Sequence, residues 1–197
     1  MSKSDPAAVK KERNKTIRWV VTIFLITMVV TGCISLISDR IMSVSGTAVA
    51  FLILLTIVLV GIVFDIVGVA VTSADEKPFH SMAARKVPGA QDAIKLLRNA
   101  ERVSSICNDV VGDICGVISG SAAATITAQV LQNFQFSWPQ LVTLVMSALV
   151  AGCTVGGKAI GKTVAINSCT QIVAGVGRTL YTVKHIPSMF KKKKSRR

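Results

Sequence analysis

The stretch "TAVAFLILLTIVLVGIVFDIVGVAVTS", Thr47 to Ser73, carries a single charged residue, Asp65. At about 1.5 Å of rise per residue, a helix of this length exceeds the roughly 30 Å of a hydrocarbon core. Inside a bilayer every backbone N–H and C=O needs an internal partner, and a helix supplies them all. The run is therefore expected to be a membrane-spanning helix with one internal carboxylate.

Similar runs flank it. No charge lies between Arg18 and Asp39, which predicts a span from Trp19 to Ser38. After Asp113 none appears until Lys158, too long for one crossing, and "NFQFSWPQ" (Asn133 to Gln140) divides it at Pro139, with Trp138 as an interfacial anchor. The third and fourth spans are expected at about Val103 to Leu131 and Pro139 to Gly157. With 51% hydrophobic residues, the composition agrees. The fold class is all-α integral membrane protein: about four transmembrane helices, an amphipathic loop helix and a C-terminal juxtamembrane helix.

The first span resembles a signal peptide in its basic flank, but it is too long, and "SLISDR" offers no small-residue cleavage site. It is expected to be retained. Four crossings put both termini and the loop from Asp75 to Arg102 on one side, and every Lys and Arg except Arg40 lies there or near its boundary. By the positive-inside rule that side is the cytoplasm, which predicts a multi-pass protein of the cytoplasmic membrane with both termini inside. The basic N-terminus (1–18) and tail (182–197) account for much of the net charge of +13. Beside membrane spans such runs meet anionic headgroups, and no nucleic-acid motif accompanies them.

In the loop, "DEKPFHSMAARKVPGAQDAIKLLRNAERV", Pro78 and Pro88-Gly89 signal turns. Ala90, Ile94, Leu97 and Ala100 then share an apolar stripe opposite Lys95, Arg98 and Arg102, which predicts a helix lying along the membrane. Further on, the stretch from Ile160 to Phe190 is expected to form the juxtamembrane helix, with Pro187 near its end.

Some motifs point elsewhere. "GGKAIGKT" (Gly156 to Thr163) has the spacing of a phosphate-binding P-loop, but that loop needs a preceding buried strand in a soluble sheet, so no nucleotide is expected. Cys33, Cys107, Cys115, Cys153 and Cys169 form no CxxC pair and read as small apolar residues, and His80 and His185 are isolated. No nucleophile, base and orienting acid share a depth, so an enzyme is not expected.

The chemical signal lies within the spans. An ionised side chain at the bilayer centre costs roughly 2.5–3.5 kcal/mol on insertion scales, yet Asp65, Asp109 and Asp113 all fall there. Measured along the helices, Asp65 lies about 15 Å from the boundary at Asp75, and Asp109 and Asp113 about 10 and 16 Å from Arg102. At 100° per residue Ser105, Asp109, Gly112, Asp113, Gly116 and Gly120 share one face, and Gly61, Asp65, Gly68 and Thr72 form another. Glycines at four-residue spacing admit a close helix, so packing these faces would bring the carboxylates together. Such oxygen ligands suit a hard cation such as Mg²⁺. A proton relay and a purely structural hydrogen-bonding role stay open. Lys158 either snorkels to the cytoplasmic headgroups or turns inward to neutralise an aspartate.

The order of spanning helix, basic amphipathic loop, two more spans and helical tail resembles the membrane domain of the CorB, CorC and CNNM magnesium transporters. The family's Gly-Glu-x-x-Pro-Lys, followed by Thr or Ser and an apolar run, resembles Gly157, Lys158, Ala159, Ile160, Gly161, Lys162 and Thr163 with "VAIN". The loop "GAQDAIKLLRNAERVSSI" is similar to the family's leucine-rich loop. Its Phe-Ser-x-Ser-Glu-x-Ala is matched only at the ends by Phe64 and Ala70, with Asp65 at the serine, and its serine with Gly-Asn only loosely by Ser104 or Ser105 and Asn108-Asp109. The family's acid is Lys158 here and its proline Gly161.

The likeness spans Gly61 to Tyr181 within a unit at 47–181, with the helix at 19–38 as an addition and no CBS domains. The resemblance implies a homodimer that moves a divalent cation, magnesium first, at Asp65, Asp109 and Asp113 with Asn108 and Ser105. The alternative is a non-transporting membrane subunit or regulator, acting with a partner protein, in which Lys158 replaces the ion.

Overall fold

The computed structural model describes residues 6–134 and 137–194, with side chains described at 17–38, 40–42, 45–134 and 137–185. The described residues are almost entirely helical and contain no strand. We number the α-helices α1 (Pro6–Val44), α2 (Thr47–Ser73), α3 (Lys77–Ala84), α4 (Ala90–Arg98), α5 (Ala100–Ser105), α6 (Asp113–Asn133), α7 (Pro139–Asn167) and α8 (Cys169–Lys194). A π-helical turn, Ile106–Gly112, joins α5 to α6. Four stretches are long and apolar enough to cross a membrane: Ile17–Met42, Thr47–Ser73, Ala100–Asn133 and Pro139–Asn167. The chain is thus an all-α, multi-pass protein built for a membrane.

Helix α2 is central, packing against α5, the π turn, α6, α7 and α8. Two apolar cores form along it. Met42, Ala50, Leu54, Val58, Ala122 and Ile126 join the end of α1 to the first half of α2 and the second half of α6. At the other end Ala70, Val71, Phe79, Ala93, Ala165 and Val173 join α2 to α3, α4, α7 and α8. Phe79, on the short helix α3, is fully buried and anchors the loop to the bundle. Between the cores, the stretch of α2 from Gly61 to Gly68 has a buried glycine at each end and half-buried Asp65 between them.

The elements depart from expectation in four places. α1 is longer than its apolar span at both ends. The loop helix is broken at Asn99, whose φ of −116° separates α4 from α5. The fourth span does not stop at Gly157, because its glycines pack without interrupting the backbone hydrogen bonds. α7 runs on to Asn167 and the chain turns at Ser168. The juxtamembrane helix therefore starts at Cys169 rather than Ile160, and it continues past Pro187.

Gly89 and Gly177 bring α4 and α8 into backbone contact. A Cβ on Gly177 would lie 2.7 Å from the Gly89 carbonyl oxygen, and one on Gly89 would lie 2.5 Å from the Arg178 nitrogen. Gly89 also has φ of +87°, a conformation that glycine adopts without steric cost. Asp92, buried on α4, accepts a 2.6 Å hydrogen bond from Lys184 Nζ on α8 and closes the same contact.

Candidate functional site

The polar layer between the two cores is built around the π turn. Hydrogen bonds of the i→i+5 type widen the helix by one residue, a distortion that is frequently found at functional sites. The inserted residue changes which side chains share a face, so the single face expected from 100° spacing is divided.

Part of it meets α2. The side chain of Asn108 occupies the space that a Cβ on Gly68 would fill, making direct contact through its Oδ1. Asn108 Nδ2 donates to Ser104 Oγ at 3.2 Å, while Oδ1 is buried and has no hydrogen-bond partner. A Cβ on Gly61 would lie 2.9 Å from that of Cys115, so both α2 glycines admit the neighbouring helix, as the small-residue spacing predicted.

The other part turns away. Asp109 accepts a 2.8 Å hydrogen bond from Ser105 Oγ, and both line a groove against α1 with Trp19, Phe24 and Met28. Asp109 and Asp113 are exposed and Asp65 is half-buried. Among the described residues, no group of three or more His, Cys, Asp or Glu side chains comes together in a way that could hold a metal ion. The expected convergence of Asp65, Asp109 and Asp113 is therefore not found within one chain, because the π turn rotates Asp109 toward α1. Gly116 and Gly120 have no close neighbour either, so that half of the glycine row is not a contact.

Lys158 is turned inward. Its Nζ lies 3.4 Å from where a Cβ on Gly112 would stand, at the end of the π turn. It lies nine residues before the end of α7, which separates it from that helix end by about 14 Å of rise. Among the described residues it forms no ion pair with a carboxylate.

The stretch "GGKAIGKT" is continuous helix within α7. A Cβ on Gly157 would collide with Ile62 Cδ1, and one on Gly161 would lie 2.8 Å from Ile66 Cγ1. These glycines let α7 lie close on α2, and that approach brings Lys158 to the π turn.

Outside the spans, ion pairs organise the loop. The Arg98 Nε–Glu76 Oε1 contact of 3.0 Å holds the Glu76 carboxyl below its ordinary range, chiefly through that hydrogen bond. Asp92 is held down in the same way, first by its hydrogen bond from Lys184 and less by Lys95 at 3.8 Å. Sequence reasoning missed both pairs. The one available signal was Asp92 standing between apolar Ala90 and Ala93, which marks an acid on a buried face and so in need of a partner.

No family model, curated protein or solved structure matches the chain in comparison.

Proposed function

We propose that this protein handles a divalent cation, with magnesium the candidate, as a divergent CNNM/CorC-like membrane transport protein whose site is the polar layer between α2 and the π turn. The observation that carries this reading is the buried Asn108 Oδ1, an oxygen acceptor without a donor, set in a π turn at membrane depth. A buried unpaired acceptor is costly, and a hard cation is the kind of group that relieves it. Asp109 and Asp113 stand close to Asn108 in sequence, and Asp65 lies on α2 between Gly61 and Gly68, the glycines that meet the neighbouring helix. Asp109 and Asp113 are exposed, so a second copy in a homodimer would cover them and complete an oxygen-rich site. The cytoplasmic membrane, with both termini inside, is the location that the distribution of Lys and Arg favours.

A second reading rests on Lys158, whose inward ammonium stands at the turn that the cation would use. In that reading the protein is a non-transporting subunit or regulator and Lys158 is its resident cation.

Thermal unfolding in detergent with and without millimolar Mg²⁺ separates the two. The transport reading expects stabilisation of the wild type that weakens in Asp65→Asn and Asn108→Ala. A flat wild type with a response gained in Lys158→Glu selects the second reading. If neither protein responds, cation handling is excluded. Flux into liposomes then tests transport itself.

A further inference from the structure

We propose that the crevice between α4 and α8 is a phosphate-binding site, independent of the intramembrane layer. It has a volume of about 420 Å³ and is lined by Lys86, Lys95 and Lys184, by Asp92, and by Tyr181 and His185, with the first turn of α4 as part of its wall.

Three lysines and one carboxylate line the crevice, and two of the lysines pair with that carboxylate. Asp92 is buried and accepts a hydrogen bond from Lys184 at 2.6 Å, with Lys95 at 3.8 Å from the same oxygen. A single carboxylate cannot neutralise three lysines, so the crevice carries an excess of positive charge. The ring of Tyr181 stacks on that of His185 with centroids 4.0 Å apart, so the aromatic wall is ordered as well. The N-terminal end of α4 adds the positive end of a helix dipole.

Lys86 is the only non-glycine described residue with positive φ, at 56°. That left-handed backbone closes α3, with Lys86 N donating to Ala83 O and Val87 N to Met82 O, both at 3.0 Å. The turn that follows sets Lys86 on the lining of the crevice. A phosphomonoester fits this arrangement: compact, doubly charged and able to accept from several donors at once.

Two sources present that group. The crevice lies at the end of the bundle where α2 and α7 terminate, the level of lipid headgroups if these helices span, and free phosphate reaches the same place from water. The chemistry is shared, and the experiment distinguishes them.

The test is calorimetric titration of the full chain in detergent with inorganic phosphate, with short-chain phosphatidic acid, and with short-chain phosphatidylcholine as a zwitterionic control. Binding of phosphatidic acid alone assigns a lipid headgroup, and binding of both anions assigns the phosphate group itself. Lys95→Gln and Lys184→Gln are expected to weaken binding about tenfold or more each, as the loss of a charge-assisted hydrogen bond predicts. Lys86→Gly is expected to weaken binding while raising the unfolding temperature of the ligand-free protein, because it removes the charge and puts glycine at a left-handed position. Replacing Lys191, Lys192, Lys193 and Lys194 with Gln should leave binding intact. The proposal is overturned if neither anion binds, if phosphatidylcholine binds equally, or if only the tail replacement abolishes binding.

Discussion

At the scale of single residues, the glycines divide by what stands opposite them. Gly89 combines a positive φ with a neighbouring backbone that cannot move aside. Gly89→Ala is expected to cost about 1–2 kcal/mol for the left-handed conformation and about 1–3 kcal/mol for overpacking. A large fall in unfolding temperature would register it. Gly120, inside α6 with open space around it, should gain from alanine by roughly 0.5–1 kcal/mol of helix propensity. Gly68 lies between these cases, since the obstacle is the end of one side chain, that of Asn108. Gly68→Ala is expected to change stability by less than about 1 kcal/mol, helix propensity offsetting the displacement of Asn108. The same variant should abolish the stabilisation by Mg²⁺ on which the proposed function depends. An unchanged Mg²⁺ response in Gly68→Ala would remove Asn108 from the site.

At the scale of elements, docking of α4 on α8 depends on a carboxylate whose pKa is lowered in the folded state. A lowered pKa means that the folded protein binds its proton later than the unfolded chain does. The stabilisation is then fully present above the ordinary Asp value of about 3.9 and is lost as pH falls through the folded value. Hydrogen exchange of amides in Val173–Leu180 should therefore accelerate below about pH 4 in the wild type. In Asp92→Asn the exchange should be faster at neutral pH and lose this acid dependence. Persistence of the dependence in that variant would assign it to another group.

The same element shows what sequence could tell. Apolar spacing located α4 because Ala90 and Ala93 are buried and Ile94 and Leu97 half-buried on one face. It did not locate α8 against it, since Asp92 and Lys184 are 92 residues apart and nothing local marks the pairing. The π turn was equally hidden. Reading the third span at α-helical spacing carried Asp109 round to the face of Gly112, and one inserted residue was enough to send it toward α1.

At the scale of the whole molecule, the membrane spans were legible because uncharged length is a strong signal that packing does not override. Thr47–Ser73 appears with the expected ends, and the other three spans contain the charge-free runs, although the fourth continues beyond Gly157 to Asn167. Sidedness follows from the same arithmetic. Four crossings would put Gly46 and Ser137 on one face of the membrane and Lys77 and Thr182 on the other. Since almost all Lys and Arg accompany the second pair, that pair should be cytoplasmic. All four positions are exposed, so each can carry a reporter thiol in a chain whose five cysteines are replaced by alanine. A membrane-impermeant maleimide applied to intact cells is expected to label Gly46→Cys and Ser137→Cys. Lys77→Cys and Thr182→Cys should react only after permeabilisation. Labelling of Gly46→Cys and Thr182→Cys from the same side would exclude four crossings. A complete inversion of the pattern would keep the crossings but place the phosphate crevice between α4 and α8 outside the cell, where the headgroup arm of that experiment would have to be repeated with lipids of the outer leaflet.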